Sequence, residues 1–65
     1  MSKLSFKIFC IEQYSHHIRK PSNEVYRIFE ESGLLQLLDE DYGDLHGMSM
    51  EYLMHFIDQY LGVKE

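Results

Sequence analysis

The sequence predicts an all-α fold, a compact bundle of about four short helices over residues 3–18, 23–32, 34–42 and 50–61. Two observations predict it. Apolar residues recur at steps of three and four within each segment, which gathers them on one helical face. Each segment also carries its own start and stop residues, so local chemistry and hydrophobic pattern agree.

In the first segment Leu4, Ile8, Ile11, Tyr14 and Ile18 recur as one stripe, with Glu12, His16, Arg19 and Lys20 opposite. Phe6, Phe9 and Cys10 widen the apolar surface beyond that stripe. Such a helix is either central in its fold or half-covered by something else. Arg19 and Lys20 stand where cations complement the helix dipole, and Pro21 stops the helix. Ser22 is expected to cap a second helix, with Asn23 and Glu24 in its first turn. Val25, Ile28 and Phe29 form its buried stripe, and Gly33 ends it. A third helix is expected over 34–42, with Leu34, Leu37, Leu38 and either Leu35 or Tyr42 facing inward. Residues 42–47 read as the one real loop, with Gly43 and Gly47 free to take positive φ. Ser49 caps the last helix, whose stripe is Met50, Leu53, Met54, Ile57, Tyr60 and Leu61, closed by Gly62.

Sixty-five residues make a single domain, 1–65, that buries only about 60% of its unfolded surface. Cys10 is alone, so no internal disulfide staples it. Stability therefore comes either from well-packed helices or from another subunit or partner. At 45% hydrophobic, with four phenylalanines and five tyrosines, the chain lies well outside disordered composition. Its Met-Ser-Lys start lacks signal-peptide character, and no apolar run has membrane-spanning length. With a lone unpaired thiol, these features predict a cytoplasmic protein.

The net charge of −5 conceals an asymmetry. Residues 1–20 carry Lys3, Lys7, Arg19 and Lys20 against Glu12, a balance of +3, and the remainder carries −8. Nucleic-acid binding requires a concentrated basic face, and these cations are spread along one helix beside an acidic remainder. An acidic surface suits a basic partner or simply a solvated exterior. The helix–glycine–helix stretch from Ser22 to Leu38 imitates a helix-turn-helix. Its second helix, however, offers no Arg, Lys or Asn to read bases.

No catalytic constellation is visible. His16 and His17 are adjacent and diverge by about 100°, His46 and His55 lie in different elements, and Cys10 is two turns from His17. Neither a metal site nor a cofactor is expected from these spacings. His46, beside Asp44 in the glycine-flanked loop, is expected to shape that loop by bonding a carboxylate or a carbonyl. Cys10 reads as a small core hydrophobe. Phosphate loops, nucleophile elbows and zincin motifs are absent, and the chain is not expected to be an enzyme.

What stands out is surplus apolar surface. Phe6 and Phe9 lie off the first stripe, and Tyr52 and Phe56, four apart, form an aromatic ridge on the last helix. Either the terminal helices pack through two faces, or these four residues form a patch for a partner or for self-association.

The segments Phe6–Tyr14, Ser22–Glu30, Gly33-Leu34-Leu35, Tyr42–His46 and Ile57–Leu61 occur in an order that resembles the bacterial family of domain of unknown function 3791. The likeness spans nearly the whole chain. In that family pattern the Leu45-His46 pair usually runs on to a threonine, where this chain has Gly47. The resemblance implies a small helical protein often encoded beside, or fused to, an ADP-ribosyltransferase-like toxin domain, and so an antitoxin or accessory role. The sequence thus leads to a non-catalytic protein-interaction module. Alternatives are a self-associating homodimer and, more weakly, a small nucleic-acid regulator using Lys3, Lys7, Arg19 and Lys20.

Overall fold

Helix boundaries follow the local chemistry closely. The computed structural model describes residues 2–63 and contains α1 (Lys3–Ile18), α2 (Ser22–Ser32), α3 (Leu34–Glu40), α4 (Tyr42–Leu45) and α5 (Met50–Leu61). Ser2 caps α1 by accepting the Ser5 amide at 3.1 Å, and Ser49 caps α5 by accepting the Tyr52 amide at 3.2 Å. Gly33 and Gly62 end α2 and α5 with φ of 82° and 77°, the left-handed turn in which glycine has no Cβ penalty.

Three boundary expectations shift. Ser22 is the first helical residue of α2, and Pro21 is the cap, with no side-chain hydrogen bond. The third helix stops at Glu40, because the backbone breaks at Asp41 (φ −101°, ψ 17°). The expected loop then begins with the single turn of α4, and Gly43 is helical within it. Among the described residues, Gly43 and Gly47 do not take positive φ. The end of α1 falls at Ile18 as expected, with Arg19 as its cap in the left-handed region (φ 59°, ψ 48°), where its amide donates to the Ser15 carbonyl. An arginine there bears the strain that a glycine would not.

Helix α1 is the hub, packing on α2, α3 and α5, while α2 packs on α3 and α3 on α4. Phe6, Cys10, Ile11 and Tyr14 of α1 meet Val25 and Phe29 of α2, Leu34 and Leu38 of α3, Leu45 of α4, and Leu53, Met54 and Ile57 of α5 in one core. Phe6 meets Tyr42 edge-on at 5.5 Å, and Tyr14 lies 5.6 Å from Phe29, spacings favourable to aromatic pairs. Lys7 reaches from α1 to Asp39 on α3 at 3.0 Å.

The buried face of α1 is Phe6–Cys10–Tyr14, rotated roughly 80° from the stripe expected on helical spacing. Leu4 and Ile8 consequently lie outside, 64% and 52% exposed, whereas Phe6 is 1% exposed. Phe6 is therefore a core residue and not part of a partner surface. The reason is physical: apolar side chains cover more than half of this helix, so periodicity permits several rotations. Tyr14, Lys7 and the large Phe6 ring are satisfied together in only one of them. On α5, Met50 and Tyr60 of the expected stripe likewise lie outside the core, each more than 40% exposed.

The accessible surface is 4387 Å², against roughly 4400 Å² expected for a compact monomer of this mass. The radius of gyration, 10.7 Å, also matches the compact value of about 11 Å. The helices close the core without a second chain. Internal packing, one of the two sources of stability the sequence left open, is well developed here.

Two stability measurements check this reading. Phe29→Ala is expected to cost about 3–5 kcal/mol, enough to exhaust much of a total of about 3–10 kcal/mol for this length. Urea denaturation should then show a largely unfolded variant at 37 °C. Arg19→Gly should raise the melting temperature by about 2–8 °C by relieving the left-handed strain. No rise would show that the arginine is held there by other interactions.

Candidate functional site

The polar centre of the fold is a carboxylate that sequence reading passed over. Asp58 lies on the inward side of α5 and is 4% exposed. Removing a carboxylate from water is unfavourable unless hydrogen bonds replace the lost hydration. Two side chains of α1 supply them. The Tyr14 hydroxyl donates to Asp58 Oδ1 at 2.6 Å, and the His17 imidazole reaches Oδ2 at 2.9 Å. An ionised carboxylate only accepts, so His17 donates to it from Nε2, and Nδ1 is the ring nitrogen left outside this bond. Tyr14 and His17 share a helical face three residues apart, and their rings lie 5.5 Å from each other.

Electrostatics follow from this arrangement. Burial tends to raise the Asp58 carboxyl, but hydrogen bonds from Tyr14 and His17, with the charges of His17 and His55, hold it below its ordinary range. Tyr14 moves the opposite way: burial, then the hydrogen bond and charge of Asp58, push its hydroxyl well above the ordinary tyrosine value. Burial also pushes the Cys10 thiol up to about 12, and Cys10 is wholly buried. It is a neutral core thiol and no nucleophile.

Beside Asp58 opens a pocket of about 520 Å³, lined by His17, Met50, Glu51, Met54, His55 and Asp58. Spacing along the chain did not suggest it, since His17 comes from α1 and the rest from α5. The one available signal was the 50, 51, 54, 55, 58 pattern, which carries polar and sulfur side chains down one side of the last helix. Among the described residues, no three of His, Cys, Asp and Glu are grouped to hold a metal ion.

The residues singled out from sequence are dispersed. Phe6 is in the core, Phe9 is half-buried against it, and Tyr52 and Phe56 form a ridge on the outer side of α5. Tyr52 is 46% exposed, Phe56 is half-buried, and their rings are near parallel (18°) with centroids 6.4 Å apart. Tyr26 and Tyr60 are also exposed, but their hydroxyls are engaged, to Glu30 at 3.1 Å and to the Ser32 carbonyl at 2.8 Å. His46 does bond a carbonyl: its Nδ1 donates to the Tyr42 oxygen at 2.7 Å, and its ring stacks on Tyr42 at 4.5 Å. This closes the α4 turn. Asp44 is exposed in that same turn. Two of the four cations of the first segment are paired within the chain, Lys7 with Asp39 and Lys20 with Glu24. No described helix is long and apolar enough to cross a membrane.

This is a small all-helical domain with a buried Tyr–Asp–His cluster, an adjoining pocket and an aromatic ridge. The chain belongs to the family described as protein of unknown function DUF3791, whose model matches residues 5–64. No curated protein and no solved structure matches it.

The cluster makes stability depend on pH at both ends. Cys10 and Tyr14 have raised values in the fold, so their contribution is whole below pH 9 and pH 10 and declines above. Each then loses up to about 1.4 kcal/mol per pH unit. Asp58 is lowered, so its contribution is whole above its ordinary value of 3.8 and is lost as pH falls below it. Urea midpoints measured from pH 3 to 11 should fall at both extremes. Cys10→Ala and Tyr14→Phe should flatten the alkaline limb, and Asp58→Asn the acid one. Unchanged limbs in these variants would assign the pH dependence to other groups. At pH 7, Tyr14→Phe should cost about 1–3 kcal/mol through the lost bond to a charged acceptor.

Proposed function

We propose that this chain is a non-catalytic, cytoplasmic protein-interaction module that docks a protein partner on the outer side of α5. The observation that carries the proposal is the Tyr52–Phe56 stack, in which Tyr52 is exposed and Phe56 half-buried. Aromatic pairs of this kind are the commonest anchors of protein interfaces, because they bury large area at little entropic cost. Exposed Met48, just before the same helix, adds an apolar side chain that adapts to a partner. The acidic balance of −5 favours a partner with a basic rim. Since the core is already closed, the partner adds an interface and does not complete the fold.

The likeness drawn from sequence names the partner to try first: an ADP-ribosyltransferase-like toxin domain encoded beside this chain, with this chain as antitoxin or accessory subunit. Co-expression with the neighbouring gene product should yield a complex in size-exclusion chromatography and relief of toxicity. Tyr52→Ala and Phe56→Ala should each weaken the complex about tenfold or more. An intact complex in both variants, or no complex at all, would refute the reading.

A second reading is self-association, favoured by the adjacent exposure of Leu4 and Ile8 on α1. Sedimentation at micromolar concentration should then report a dimer that Ile8→Glu dissociates, and a stable monomer would exclude it.

A further inference from the structure

The pocket beside Asp58 offers a chemistry that the aromatic ridge does not use. Its lining includes two methionines, Met50 and Met54, and two histidines, His17 and His55. We propose that this pocket is a binding site for a soft monovalent metal ion, Cu(I), held by the sulfurs of Met50 and Met54 and by the imidazole of His17.

Three observations point there. The first is the softness of the donors. Thioethers are weak ligands for zinc, magnesium or calcium and good ones for Cu(I), with imidazole acceptable to it as well. Harder ions lack a set here, since no three of the described His, Cys, Asp and Glu residues are grouped for one.

The second is the preparation of His17. A metal-bound histidine commonly donates its other ring N–H to a carboxylate, which fixes ring orientation and raises its basicity as a ligand. His17 already makes that bond, with Nε2 at 2.9 Å from Asp58 Oδ2. Asp58 is in turn buried and fixed by Tyr14 at 2.6 Å, so it orients the imidazole and is not itself a ligand. The nitrogen that remains for an ion is Nδ1. A purely structural ion pair on the surface would need no such buried support.

The third is access. Of the proposed ligands, Met54 is 7% exposed, Met50 is 44% exposed and the His17 side chain is 41% exposed, so the site is reached from solvent.

The proposal is independent of the docking reading. At about 100° per residue, Met50 and Met54 fall roughly 120–160° around α5 from Tyr52 and Phe56. Metal and protein partner would use different sides of one helix.

The test is an anaerobic titration of the folded protein with Cu(I), in competition with a chromophoric Cu(I) chelator. Ag(I) serves as a redox-silent substitute for NMR of the methionine methyl groups. The expected result is one ion per chain with a dissociation constant below about 1 μM, and shifts of the Met50 and Met54 methyl signals but not of Met48. Met50→Leu and Met54→Leu conserve volume and should each weaken binding at least tenfold. His17→Gln should do the same while its amide still offers Asp58 a donor. Met48→Leu should have no effect, and Cys10→Ser should bind as before. Absence of binding, binding indifferent to both methionine variants, or binding abolished by Cys10→Ser would each overturn the assignment. Circular dichroism of every variant separates a lost ligand from a lost fold.

Discussion

One buried carboxylate organises this molecule. Asp58 is nearly withdrawn from solvent on α5, and both of its oxygens accept hydrogen bonds from α1, one from Tyr14 and one from His17. A charge so placed would be strongly destabilising without those donors, and removing one leaves a penalty larger than the bond's own worth. The consequence is geometric as much as energetic. Tyr14 and His17 must both face α5, which fixes the rotation of α1 about its axis. With that rotation set, Phe6 turns under Tyr42, Lys7 reaches Asp39, and Leu4 and Ile8 are left outside. Apolar packing alone would leave several rotations of this greasy helix close in energy. The polar cluster selects among them, the role for which buried polar groups are best attested.

The remaining helices are held by ordinary devices placed economically. Gly33 ends α2 and begins α3 in a single left-handed residue, and Tyr60 reaches back from α5 to the Ser32 carbonyl, tying the last helix to that turn. His46 stacks on Tyr42 and holds its carbonyl, which keeps the short α4 turn wound. The chain therefore closes its core with its own helices, and its outer surfaces are free to be specific. Helix α5 is the element with the most chemistry left over. Its inner side supplies Leu53, Met54, Ile57 and Asp58 to the core, an outer side carries the aromatic stack, and Met50, Glu51, Met54, His55 and Asp58 line the pocket.

Family membership places the chain among proteins of unknown function, so its role rests on the chemistry of these surfaces. The buried cluster contains no activated nucleophile: Cys10 is a neutral, wholly buried thiol, and Tyr14 is held protonated by the carboxylate beside it. Binding, of a protein on one side of α5 and of a small ion on the other, is the chemistry that the exposed side chains suit.

The sequence by itself determined the all-α class, the helix spans and most of their stops. Capping and chain reversal are local: Ser49, Gly33, Gly62 and Pro21 act on their own few residues, whatever the rest of the chain does. It also identified Cys10 as a core residue, a loop-shaping bond from His46 to a carboxylate or a carbonyl, and the Tyr52–Phe56 ridge, each legible within one turn or one helix. Only the tertiary structure decided which side of α1 is buried. An apolar arc wider than half a turn leaves periodicity with no preferred direction, and so Phe6 and Leu4 exchanged places. Only the tertiary structure revealed the Tyr14–Asp58–His17 cluster and its pocket, because they join residues 41 and 44 positions apart. A lone aspartate in an amphipathic helix is indistinguishable from a solvated one until the partner helix that shields it is in place.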